Sequence, residues 1–391
     1  MQFKLIIIAL IIVCTTACKK QSHYPVDEIN CTLDYSSNPH HEHYQSILDE
    51  YTANGITGLT VIMSSPEKGY WIGSSGYSSI EDNQKMNPCN LHHTASLAKS
   101  FTAIIILQLI EEGKLHFDDL IPQYLSNDIV TYIPNIEKIT IKDLLQQTSG
   151  IPEVFDINFF EDFMNNPEKT YTSVDFIEMI AGKESVFEPG EKHLYSDLNY
   201  IILGLIIDNV EGDHVAAYSE RILVPLGLDD SYYHNGVYPE PEGLVASYWD
   251  QYNNGAIENI SELQIRITNY IKASDGIIAS AQNMVRFYEA VFNNELISEE
   301  MVELIKTDLV TEENEQLMNT GYSHGFMTID STDERWIGHT GSHIGSSCYV
   351  YKNIETEATI GVFTNTGVHF FTEKKGLIYS ELWNDLRNAL N

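Results

Sequence analysis

The sequence predicts an α+β protein: an antiparallel sheet flanked by helices and interrupted by an inserted, mostly helical subdomain. Three observations lead there. Short β-type runs cluster towards both ends of the chain, a strongly apolar helix follows the first cluster, and residues 116–270 hold helix-like stretches broken by Pro, Gly and Asn. The chain has 391 residues, room for two to three units of about 150 residues each. Hydrophobic residues make up 43% and aromatic residues 11%, which supports a large core and excludes disorder.

From the start, Lys4 precedes an apolar run, Leu5 to Val13, and Thr15-Thr16-Ala17-Cys18 closes it with small residues. The run is too short to span a bilayer as a mature helix and resembles a bacterial lipoprotein signal. The resemblance implies removal of residues 1–17, a lipid on Cys18, a tether over 18–38, and residence in the cell envelope, facing the periplasm or the exterior. The domain proper is expected over 39–391, with its sheet part at about 39–115 and 271–391 and the helical insertion at about 116–270.

Residues 40–52 suit a polar-faced helix. Thr57 to Ser64 and Gly69 to Gly73 read as a hairpin about the turn Ser65-Pro66-Glu67-Lys68. Ala95 to Gly113 is apolar on most sides and so predicts a deeply buried helix. Helical stretches follow at Ile139 to Gln147, Ser173 to Ile180 and Leu198 to Val210, then two short helices over 281–306. Arg335 to His339, Ser347 to Tyr351 and Ala358 to Thr364 alternate as strands, and Leu377 to Leu390 predicts a last helix.

Charge excludes one function class. Lys+Arg number 22 and Asp+Glu 56, a net −34, so phosphate backbones are repelled and nucleic acid is not an expected partner. The 5 cysteines contain no Cys-x-x-Cys, which argues against a zinc ribbon and a disulfide scaffold. No pairing of Cys31, Cys89 and Cys348 can be read from spacing, and Cys89 and Cys348 are expected as small buried hydrophobes. His40, His41 and His43 with Glu42 share no single helical face, so a solvated helix start is expected there and no metal. No cofactor is expected, and a monomer is.

Chemistry concentrates at Ser96-Leu97-Ala98-Lys99, at the start of the buried helix. Residues three apart share a helix face, so the Lys99 amine can reach the Ser96 hydroxyl. An amine held in an apolar site loses its charge readily and can then accept the serine proton, while free N–H groups of the first turn suit an oxyanion. Ser65 and Lys68 have the same spacing but sit on a turn with Pro66, where no helical face joins them. Tyr195-Ser196-Asp197 opens the next apolar helix and can offer a phenol for proton transfer. Asp197 could equally cap that helix. Trp336 to Ser342 is a strand in which His339 and Thr340 can orient a substrate carboxylate and Gly341 can leave room for substrate backbone. Tyr-x-Asn/Asp recurs at Tyr233, Tyr248, Tyr252 and Tyr351, so position and order select Tyr195.

Ser-x-x-Lys, then Tyr-x-Asp, then His-Thr-Gly, in that order, resembles the penicillin-recognising serine hydrolases: class C β-lactamases, D-alanyl-D-alanine carboxypeptidases and related esterases. Ile139 to Pro152, Val224 to Leu228 and Ala273 to Ile277 resemble the same family, and the likeness covers roughly residues 40–390. It implies a β-lactamase/transpeptidase-like fold with Ser96 as acylated nucleophile, Lys99 as its base partner and Tyr195 as proton shuttle. It further implies an oxyanion hole from the backbone N–H groups of Ser96 and Ser342. Asp197 stands where class C β-lactamases have Asn, and His339 where they have Lys. Both changes make an anionic β-lactam or a peptide carboxylate harder to hold, and histidine at this position occurs in carboxypeptidase and esterase branches of the family, so the resemblance implies a D-alanyl peptidase or esterase over an efficient β-lactamase. The alternative expectation is a penicillin-binding sensor that stays acylated or does not react. The expected partner is a peptidoglycan peptide or another small acyl substrate.

Overall fold

The computed structural model describes residues 30–234, 236, 238, 241–251, 254–314, 319–331, 334–367 and 373–390. The expected signal peptide and Cys18 lie outside the described residues.

Nine antiparallel strands form the main sheet. In chain order they are β1 (Gly58–Ser65), β2 (Gly69–Ser79), β3 (Gln84–Lys85), β4 (Val310–Asn314), β5 (Asn319–Ser323), β6 (Phe326–Asp330), β7 (Arg335–Ser342), β8 (Ser347–Asn353) and β9 (Thr359–Thr364). Their spatial order is β3-β2-β1-β9-β8-β7-β6-β5-β4. The two ends of the chain therefore meet mid-sheet, where β1 pairs with β9 from Leu59↔Thr364 to Ser64↔Thr359.

Helices cover both faces. On one side lie α1 (His41–Ala53) and the C-terminal α5 (Glu373–Leu390), whose Trp383 packs on Trp336 of β7 with ring centroids 5.1 Å apart. On the other lies α4 (Ala281–Phe292), which comes so close to β9 that a Cβ on Gly361 would sit 2.6 Å from Val285. Stacked rings of Phe101 and Phe287 join α4 to α2 (Ala98–Glu111). The α2 helix is buried from Ala98 through Leu107, as its all-round apolar surface requires.

The insertion is mostly helical. Its longest helix, α3 (Asp197–Glu211), packs on α2, and a shorter helix at Ile157–Asn165 brings Phe159 and Phe163 into an aromatic cluster with Phe155, Tyr171 and Phe176. A small sheet ties the insertion to the rest: Leu91–His93 pairs with Ile278–Ser280, which pairs with Ser231–Tyr232.

Two expectations about the N-terminal region need correction. Cys89 is not an isolated buried hydrophobe; it is disulfide-bonded to Cys31. Residues 30–38 are not a free tether either. Besides that bridge, the Tyr35 ring packs 5.3 Å from Tyr70, and Asn38 donates to the carbonyls of Lys68 and Tyr70. Cys348 is a buried free thiol, as expected.

Candidate active site

The site is built on a strained turn. Leu91–His93 holds its small sheet, and Thr94 bonds the Ile277 carbonyl through both its N–H and its hydroxyl, each at 3.0 Å. Ala95 then takes a left-handed conformation, φ 47°, which costs a non-glycine residue roughly 1 kcal/mol or more. A 3₁₀ turn over Ala95–Leu97 leads into α2. From Leu91 to Leu107 every residue is buried except Ser96. One hydroxyl is thus offered from an otherwise closed segment.

Lys99 is buried completely, and its Nζ has three acceptors: Ser96 Oγ at 2.9 Å, Ser274 O at 3.1 Å and Asp197 Oδ1 at 2.5 Å. The expected one-turn juxtaposition of hydroxyl and amine is present. The expected apolar surroundings are not. Asp197 forms an ion pair with Lys99, so its carboxylate answers that buried cation rather than capping α3.

Tyr195 sits beside this pair, its ring centroid 4.8 Å from Lys99 Nζ. Gln147, itself at φ 60°, pins both neighbours of Tyr195: its carbonyl accepts from Leu194 N at 2.9 Å and its Oε1 from Ser196 N at 3.0 Å. The stretch Ile139 to Pro152 therefore acts as a clamp on the Tyr195–Asp197 segment. The next residue was not singled out from sequence. Glu153 Oε2 accepts from Asp197 N at 2.6 Å, and Oε1 accepts from Val154 N and Phe155 N. Burial, reinforced by the Asp197 carboxylate, pushes Glu153 up to about 7. Its only sequence signal is its place directly after the clamp.

On β7, alternate residues face opposite sides of the sheet, and this separates residues that the sequence groups together. His339 faces the site, with its ring 6.2 Å from Tyr195 and 5.9 Å from Tyr322. It is fully buried, and burial, then the Lys99 charge, push it down to about 3. Its Nδ1 is 2.5 Å from the Thr340 carbonyl, which can only accept, so Nδ1 carries the proton. At neutral pH His339 supplies no positive charge.

Thr340 is half-buried, with its hydroxyl 3.4 Å from Met327 Sδ. Gly341 faces the site side, close against the turn that carries Ser96. A Cβ there would lie 2.4 Å from Thr94 O and 3.2 Å from Ala95 Cβ. Its bareness seats the turn that carries Ser96 against the sheet. Ser342 follows at the end of β7, opposite Ser347. The stretch Ala273 to Ile277 lies here too: Ser274 lends its carbonyl to Lys99, and buried Asp275 pairs with His343.

Among the described residues, one acidic group is close enough to hold a cation, Asp208, Asp213 and His214, and it lies on the far end of α3. There Asp208 Oδ1 is occupied by the His214 backbone and ring nitrogens.

With the fold and this geometry in view, residues 44–380 match the Beta-lactamase family. The chain belongs to that family. Among curated proteins it is similar to Protein flp of Staphylococcus aureus strain MW2, 27% identical over 311 residues, which covers 79% of this chain and 60% of that protein. It is also similar to Penicillin-binding protein 4* of Bacillus subtilis strain 168, 26% identical over 308 residues, covering 75% and 64%. The chain thus spans under two thirds of the length of these relatives. Among solved structures it resembles the D-amino acid amidase of Ochrobactrum anthropi SV3, with a TM-score of 0.75 and 20% identity over 90% of this chain and 99% of that one. The D-stereospecific amidohydrolase of a Streptomyces species gives a TM-score of 0.73 and 23% identity, covering 88% and 98%. At such identities the likeness is one of fold: the β-lactamase/transpeptidase-like α+β sandwich, with mixed helices and an antiparallel sheet.

Proposed function

We propose that this β-lactamase-family protein is a serine hydrolase that cleaves small amides or esters through an acyl-enzyme on Ser96. The observation that carries the reading is the 2.9 Å contact between Lys99 Nζ and the one accessible hydroxyl of an otherwise buried segment. In the acylation step Ser96 Oγ attacks the carbonyl carbon while its proton passes to Lys99. The tetrahedral oxyanion is met by the N–H groups of Ser96 and Ser342. Its collapse expels the amine or alcohol, protonated by way of Tyr195. Water then releases the acid by the same steps in reverse roles.

Substrate charge is the second element. Lys99 is paired with the Asp197 carboxylate, and His339 is neutral. Among the described residues of the site no unpaired cation is left for a substrate carboxylate, which supports amides and esters of uncharged or cationic acyl groups over anionic β-lactams. Two structural relatives are named a D-amino acid amidase and a D-stereospecific amidohydrolase, and amides of D-amino acids are the substrates we take from those names.

The test uses a fluorophosphonate label, nitrocefin, and p-nitroanilides of D- and L-alanine. Ser96 is expected to be labelled in wild type and not in Ser96→Ala, with D-alanine p-nitroanilide turned over at least tenfold faster than nitrocefin. Equal hydrolysis by wild type and Ser96→Ala would remove Ser96 from the mechanism. Labelling with nitrocefin but no release would favour a sensor.

A further inference from the structure

We propose that Glu153 is a positioning residue which, acting through Asp197, sets where the proton shared by Asp197 and Lys99 resides, and so whether Lys99 can take the Ser96 proton. This rests on the reading of Ser96 as nucleophile. Lys99 Nζ donates to three acceptors, so its ammonium form has no lone pair for the serine. To become a base it must give up a proton. Ser274 O is an amide carbonyl and Ser96 is the group to be deprotonated, which leaves Asp197 Oδ1 as the acceptor.

The transfer is balanced. One N–H bond of Lys99 breaks, an O–H bond forms on Asp197, and a neutral amine then accepts the proton of Ser96 as Oγ bonds to the acyl carbon. Moving that proton from Nζ to Oδ1 carries positive charge towards Glu153, whose Oε2 already holds Asp197 N at 2.6 Å. An ionised Glu153 favours the move and a protonated one does not.

The groups around this chain act at other points. Asp197, from the start of α3, is the charged group that bears on Glu153, which forms no ion pair among the described residues. His339 from β7, Asp275 from the 273–277 loop and the Tyr195 ring all bear on Lys99. Glu153, pushed up to about 7, changes charge in the range where such an enzyme would work.

The experiment follows the rate of fluorophosphonate labelling of Ser96 from pH 5 to 9 in wild type, Glu153→Gln, Asp197→Asn and the double variant, with unfolding monitored at each pH. Wild-type labelling is expected to rise about tenfold through the region near pH 7, one pKa unit of proton displacement being worth a factor of ten. Glu153→Gln should flatten that rise, and Glu153→Asp should restore part of it. In the Asp197→Asn background, Glu153→Gln should change the rate less than about twofold, because the route through Asp197 is gone. A Glu153→Gln profile parallel to wild type, or an equal effect in both backgrounds, overturns the inference. Should Glu153→Gln not fold, Asp197→Asn decides alone: a wild-type limb near pH 7 that survives in it overturns the inference. Wild type that is not labelled at Ser96 at all overturns the Ser96 reading and this one together, whereas labelling with an unaltered profile overturns only this one.

Discussion

Glu153 shows how one side chain can serve loop geometry and proton chemistry at once. Its two oxygens collect three backbone N–H groups, those of Val154, Phe155 and Asp197, yet among the described residues it forms no ion pair. Its folded value of about 7 lies above the unfolded 4.5, so between those pH values the folded protein holds a proton that the unfolded chain has released. Stability contributed by the neutral form is complete below about pH 4.5 and is lost as pH rises towards 7. Urea unfolding at pH 5 and pH 7.5 should therefore show wild type losing more stability over that interval than Glu153→Gln; equal losses would place the carboxyl's titration outside this window. The opposite case is His92, buried with neither ring nitrogen bonded among the described residues and pushed down to about 3.

At the scale of elements, the Ser96 turn and β7 form one unit, and Gly341 is the joint between them. Its missing side chain lets the strand press on Thr94 and Ala95, and backbone atoms of the turn cannot swing aside as a flexible side chain would. Gly341→Ala is expected to cost about 1–3 kcal/mol of stability and to slow Ser96 labelling at least tenfold, read by thermal unfolding and labelling kinetics. A variant labelled at the wild-type rate would mean the joint is not what positions Ser96.

Much of this level is legible in sequence. The hairpin of β1 and β2, the buried α2, the α3 start and the strands β7 to β9 all carry clear periods. Strands β4 and β5 do not, since Val310-Thr311-Glu312-Glu313-Asn314 and Asn319-Thr320-Gly321-Tyr322-Ser323 have no apolar alternation, being near the edge of the sheet. The helix at Ile157–Asn165 is not among the expected ones, although its phenylalanines carry a helical period and Asp156 caps it by accepting from Phe159 N. In the site, the Ser96–Lys99 contact is legible because one helix turn dictates it. The Lys99–Asp197 pair is not, since 98 residues of intervening chain place the two partners.

The whole molecule is held by closures between distant parts of the chain. Cys31–Cys89 spans 58 residues and fastens the N-terminal segment to the loop ahead of the small sheet. On loop entropy alone such a bridge contributes up to about 4 kcal/mol. Reduction, or Cys31→Ala with Cys89→Ala, is expected to lower the unfolding temperature by several degrees, measured by calorimetry with and without a reductant; an unchanged midpoint would mean that α1 and its contacts with β2 already fix the segment. The pairing of β1 with β9 is the larger closure. Until Thr359–Thr364 has emerged from the ribosome, the amino-terminal hairpin has no neighbour on its inner edge and β8 has none either. A nascent or truncated chain that lacks β9 therefore carries two bare strand edges, open to chaperones or to another copy.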